Sequence, residues 1–180
     1  MDKRLFERQL ETKEVFKGKI LGLYYDKVML PNERIATREK VTHPGAVGII
    51  PVTDDGEIIL VKQYRYPVSE VTLEIPAGKL DRDEEPIATA KRELKEEVGI
   101  IEARLSLLSA FYTTPGFCDE LLYLYLAKDF NIVENDLDDD EFLEIVSISL
   151  KDAMGLIRDG SIKDAKTIIG IMMAKDQIGL

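Results

Sequence analysis

The chain has 180 residues, 45% hydrophobic and 32% charged, with a formal net charge of −10, a size suited to one domain or a domain with a small appendage. The acidic balance disfavours nonspecific nucleic-acid binding, which sets Lys and Arg against phosphate. One cysteine, Cys118, excludes an intrachain disulfide, and no Cys/His cluster is available for zinc.

The first residues, "MDKRLFERQLETKE", are charged throughout and hold no apolar signal core. No run approaches the roughly 18 apolar residues of a membrane span, so a cytoplasmic protein without a membrane partner is expected. Residues 1–43 carry 10 basic and 7 acidic side chains, and the remainder 14 and 27. A basic front segment and an acidic body suggest two parts with different tasks, although chance unevenness on solvated faces gives the same count.

"EVFKGKILGLYY" and "KVMLPNERIATREKV" read as short strands broken at Tyr25-Asp26 and Pro31-Asn32. They predict a small antiparallel sheet at 1–43 that packs on its own domain or on a partner chain. "GAVGIIPV" and "EIILVKQYR", joined at Asp55-Gly56, predict a hairpin. "EVTLEIP" is a further strand.

Pro86 to Val98 turns helical: proline opens it, Ile87, Ala90, Leu94 and Val98 repeat at helical spacing, and Gly99 ends it. "IEARLSLLSAFYT", "ELLYLYLAKDF" and "FLEIVSISL" predict strands, with "ENDLDDDE" an exposed acidic loop before the last. Ser149 can cap "LKDAMGLIRDG", and "KDAKTIIGIMMAKDQIG" predicts a final amphipathic helix. The pattern predicts an α/β class: a mixed sheet with helices on its faces over 44–180.

At about 100° per residue, Glu93, Glu96 and Glu97 crowd onto one arc beside the apolar stripe. A solvated acidic face accounts for that cheaply. A hard divalent cation, which wants carboxylate oxygens, also fits the patch, but so would many surface helices, and spacing alone favours the solvated face.

The surrounding stretch runs glycine, five residues, glutamate, seven residues, then Arg-Glu-apolar-any-Glu-Glu-any-Gly-apolar. Its fixed positions are Gly78, Glu84, Arg92, Glu93, Leu94, Glu96, Glu97, Gly99 and Ile100. It resembles the signature, or box, of the Nudix hydrolases. The resemblance implies an α/β/α sandwich that cuts a diphosphate linked to a second group. It implies Mg²⁺, with Mn²⁺ able to substitute, on Glu93 and Glu97, with Glu96 sharing the site and Arg92 and Glu84 bracing it.

"HPGAVGIIPV", "QYRYPV", "LEIPAGK" and "TTPG" resemble the ADP-ribose pyrophosphatase branch. That likeness implies the Ala77 carbonyl as a metal ligand, Gly78 beside the substrate, and Pro115 and Gly116 in the branch's proline position. Glu120 matches a glutamate near the pyrophosphate. Arg65 matches an arginine contacting the adenine end, or else covers apolar neighbours with its stem. Phe16, in "FKG", stacks on adenine across a homodimer interface, or is core. Glu74 supports the site from behind, or is paired for structure. Asn32-Glu33 stands where the branch has Asn-Gly.

In the branch a loop beyond the box supplies the general base. Glu141 fits best, 44 residues past Glu97, with Asp139, Asp140 and Glu144 as neighbours. The tract lacks the central glycine of a calcium loop. His43 reads as structural and Cys118 as an ordinary small residue. The implied reaction is ADP-ribose plus water to AMP and ribose 5-phosphate. The alternatives are hydrolysis of a GDP- or UDP-linked sugar, or a sensor that binds ADP-ribose without cleaving it.

Overall fold

The computed structural model describes residues 2, 4–137 and 142–178. They fall into two compact units, one built from 1–45 with 112–121 and the other from 46–111 with 122–180.

The first unit is an antiparallel sheet of β1 (Arg8–Lys17), β2 (Gly22–Met29) and β3 (Ile35–Thr42), in that order. The expected break at Tyr25-Asp26 is absent, and β2 runs straight through. Asp26 is tolerated mid-strand because Thr12 donates to its carboxylate across the sheet and Lys40 pairs with it at 3.2 Å. The Thr12 hydrogen bond, with help from Lys40, holds Asp26 below the usual carboxylate range against its burial. Strand β1 also begins earlier than the pattern suggested. Its charges are carried on an exposed strand and paired across the sheet, as in Lys27–Glu11 at 2.7 Å. The Pro31-Asn32 turn forms, with Glu33 at φ 64 where glycine would sit without strain. The Asn32 side chain accepts from the Arg34 amide at 3.2 Å and steadies it.

In the second unit, β4 (Ala46–Pro51) lies in a four-stranded sheet of order β7-β4-β10-β9. The other three strands of that sheet are β7 (Ala77–Lys79), β9 (Arg104–Tyr112) and β10 (Leu121–Lys128). A second, antiparallel sheet orders β12 (Leu143–Ser149), β5 (Glu57–Arg65) and β6 (Glu70–Glu74). Short strands β8 (Ile100–Ile101) and β11 (Asn131–Ile132) pair with each other. The helices are α1 (Pro86–Val98), α2 (Leu150–Arg158) and α3 (Ala165–Ile178).

The expected hairpin does not form as a paired unit. Its turn forms, with Gly56 at φ 81, but β4 and β5 are joined only by the bridge Val52↔Ile58 and then part into different sheets. Strand β4 instead pairs in parallel with β10. Its unbroken burial reflects cover on both faces. Ile50 and Leu60 join the cluster with Ile171 and Ala174 of α3. Ile49, Ile59 and Val61 join Ala90, Leu94 and Val98 of α1. Helices therefore cover opposite faces, as in an α/β/α sandwich.

Ser149 caps α2 as expected, accepting from the Asp152 amide at 3.1 Å. Ile87, expected in the apolar stripe of α1, is 44% exposed. The stripe needs only Ala90, Leu94 and Val98. Among the described residues no helix is long and apolar enough to cross a membrane.

Candidate active site

Helix α1 starts with Pro86 in its first turn and ends at Gly99, whose φ of 66 closes the last turn through bonds to the Leu94 and Lys95 carbonyls. One helical position from the apolar stripe come Glu93 and Glu97, only 8% and 4% exposed. Glu96 is half-buried. The acidic face is therefore not the solvated side of the helix.

The short strand β7 lies against this face. The Ala77 amide donates to Glu97 Oε2 at 3.0 Å. A Cβ placed on Gly78 would stand 1.7 Å from Glu93 Oε1, so only glycine lets the backbone come this close to that carboxylate. Arg92 draws the group together: its Nη1 lies 2.9 Å from Glu93 Oε1 and 2.7 Å from Glu96 Oε2, and its Nη2 3.4 Å from Glu84 Oε2. Burial works against the Arg92 charge, but the pull of Glu93 and the hydrogen bonds to Glu96 and Glu84 outweigh it and raise its pKa. Glu84 stays below the usual carboxylate range, since hydrogen bonds from Thr89 and Arg92 outweigh burial.

The carboxylate oxygens suit a hard divalent cation in kind. The Gly78 cradle sets the β7 backbone against the Glu93 carboxylate. As they stand, Arg92 and the Ala77 amide hold the carboxylates, and among the described residues no three His, Cys, Asp or Glu side chains converge on one point.

A second constellation holds the turn before Ala77. Glu74, 2% exposed, accepts a fork from Arg65, Nε at 2.9 Å and Nη2 at 2.8 Å. Thr72 adds a hydrogen bond at 2.6 Å and Lys166 an ion pair. Burial would raise the Glu74 pKa, but Arg65, Lys166 and Thr72 pull it down to about 2. Glu74 is thus paired for structure, and it holds two Arg65 donors. Hydrogen bonding to Glu74 raises the Arg65 pKa, with a smaller contribution from the field of Glu97.

Helix α3 secures the same turn. The Ile75 amide donates to Thr167 Oγ1 at 2.9 Å, and Asp164 caps α3 by accepting the Thr167 amide at 3.0 Å. Sequence reasoning missed Asp164, Lys166 and Thr167. Only the Asp-x-x-Thr spacing at 164–167 was available as a signal.

Glu141, Asp139 and Asp140 lie outside the described residues. The loop leading to them is fastened to α1: Val133 donates to the Gly99 carbonyl at 2.8 Å, Asn135 Nδ2 to Glu97 O at 3.2 Å, and the Asp136 amide to Glu96 O at 3.1 Å. Glu144 is exposed on β12 and paired with Lys62 at 3.4 Å.

Phe16, Pro115, Gly116 and Glu120 belong to the first unit. Phe16 is not core: it is 59% exposed on β1, its ring folded over Gly18. Glu120 accepts from Thr113 Oγ1 at 2.6 Å. The His43 amide donates to Asp119 Oδ1 at 2.8 Å and its Nδ1 accepts from the Gly45 amide at 3.1 Å, a structural placement.

Comparison with known proteins gives a consistent picture. Residues 42–169 match the family model of the NUDIX domain. The chain is 45% identical to an ADP-ribose pyrophosphatase of Bacillus subtilis (strain 168) over 94% of its own length and 92% of the relative's. It is 41% identical to a methanol dehydrogenase activator of Bacillus methanolicus, covering 100% of this chain and 98% of that one. A solved structure described as an ADP compounds hydrolase superposes with a TM-score of 0.85 at 23% identity, over 96% and 94% of the two chains, and shares the fold.

Proposed function

Because the chain belongs to the Nudix family and is a hydrolase, we propose that it splits the diphosphate of ADP-ribose to AMP and ribose 5-phosphate with the aid of Mg²⁺ or Mn²⁺. The observation that carries this reading is the buried pair Glu93 and Glu97 held against the Ala77–Gly78 backbone. The 45% identity to an ADP-ribose pyrophosphatase supports the substrate.

Glu93, Glu97 and the Ala77 carbonyl would hold the cation, with Glu96 alongside. When bound, it would neutralise the diphosphate and acidify the attacking water. Water attacks phosphorus as the bridging P–O bond breaks, and the carboxylate of Glu141 takes the water's proton. Arg92 keeps three glutamates in register through this change of charge. Arg65 is aimed by its fork on Glu74, which leaves Nη1 for the adenine end of the substrate. The branch likeness keeps Pro115, Gly116 and Glu120 as candidate substrate-binding residues of the first unit. The exposed edge strand β1, carrying Leu10, Val15 and Phe16, supports a homodimer in which Phe16 stacks on the base of the other subunit's substrate.

A panel of ADP-ribose, GDP-mannose and UDP-glucose tests the substrate. Preference for ADP-ribose is expected, and a tenfold higher kcat/KM for another sugar nucleotide overturns it. Binding of ADP-ribose with Mg²⁺ but no AMP would mark a sensor. The 41% identity to a methanol dehydrogenase activator favours one second reading, a protein that raises a dehydrogenase's activity. Adding wild type and Glu97→Gln to methanol dehydrogenase tests it. A rise with wild type alone ties activation to hydrolysis, a rise with both ties it to contact, and no rise discards it.

A further inference from the structure

Resting on the hydrolase reading above, we propose that Gln63 is a substrate-binding residue whose side-chain amide donates to a non-bridging oxygen of the bound diphosphate. Strand β5 alternates, and Ile59 and Val61 face the cluster formed with Ala90, Leu94 and Val98 of α1. Gln63 is next on that face. Its cross-strand neighbour Leu143 packs against the same cluster. Beyond it comes Arg65, which feels the charge of Glu97. Gln63 thus lies between the apolar floor of the box helix and the Arg65–Glu74 fork.

On this face Gln63 Nε2 is buried and has no hydrogen-bond partner among the described residues. A buried donor without a partner penalises the folded state, and an apolar side chain of equal length would avoid the penalty. The nearest cross-strand hydroxyl does not meet it: Thr72, directly opposite, donates toward Glu74 and the Gln63 backbone carbonyl, and Nε2 makes no hydrogen bond to its oxygen. The unmet donor is accounted for if its acceptor arrives with the substrate. A phosphate oxygen supplies that acceptor. A neutral amide also adds a donor without the positive charge that would repel a divalent cation.

The test compares Gln63→Met, which keeps length and removes the amide, with Gln63→Glu, which sets an anion where the donor was. Gln63→Met is expected to raise the melting temperature of the free protein by about 2–4 °C. The same change should lower kcat/KM for ADP-ribose by about tenfold or more. It should also shrink the thermal stabilisation given by non-cleavable α,β-methylene ADP-ribose. Gln63→Glu should lose more of both. Unchanged kcat/KM and ligand stabilisation in Gln63→Met, or a Gln63→Glu that matches wild type, would overturn the assignment. Wild type that binds the analogue but releases no AMP from ADP-ribose would instead remove the hydrolase reading, leaving ligand stabilisation to judge Gln63.

Discussion

Oε2 of Glu97 accepts the Ala77 amide at 3.0 Å. The loop bearing the box glycine and the helix bearing the box carboxylates are therefore held in register by one of the carboxylates themselves. Substituting Glu97 by Gln keeps an oxygen for that amide and removes the charge. Activity should fall by about 100-fold or more, while the melting temperature stays close to wild type. Unchanged turnover would place the chemistry elsewhere.

Gly78→Ala forces a Cβ into the space of the Glu93 carboxylate, 1.7 Å from Oε1. The obstructing atoms end a side chain that can swing away, so the stability cost should stay within about 1–3 kcal/mol. The swing displaces Glu93, and hydrolysis should be nearly abolished. A Gly78→Ala protein with wild-type kcat/KM would show that Glu93 need not occupy this position.

Glu74 links acid stability to the site. Its pKa is about 2 in the folded protein against 4.5 ordinarily, so in that interval the folded state binds fewer protons than the unfolded one. Its contribution is fully present above about pH 4.5 and fades as pH falls toward 2. Glu74→Gln removes the partner of Arg65 and Lys166 and should cost about 3 kcal/mol or more at neutral pH. Urea melts at pH 7, 4 and 2.5 should show the variant's deficit narrowing with acidity. A deficit independent of pH would contradict the ion-pair account.

Glu141→Gln should depress kcat far more than KM, because a base acts in the transition state. Steady-state kinetics on ADP-ribose with Mg²⁺ distinguish the cases. A change confined to KM would move the base to another acidic residue of the same loop.

Much of this was legible in the sequence where one local rule governs. Pro86, the Ala90-Leu94-Val98 stripe and Gly99 bound α1, and the box spacing placed Glu93 and Glu97 at the core margin. Long-range pairing was not legible. The Asp55-Gly56 turn is real, yet β4 leaves it to join β10, a partner more than 70 residues on. Asp26 reads as a strand breaker until Thr12 and Lys40 reach it from neighbouring strands. The support that α3 gives through Lys166 and Thr167 depends on contacts across about 90 residues, which no spacing rule reports.

The most direct test is AMP release from ADP-ribose by purified protein, measured by chromatography with Mg²⁺, with Mn²⁺ and after chelation by EDTA. Stoichiometric AMP and ribose 5-phosphate with either ion, lost with EDTA and restored by adding the ion back, is the predicted result. No ion-dependent nucleoside monophosphate from ADP-ribose or any other sugar nucleotide would contradict it.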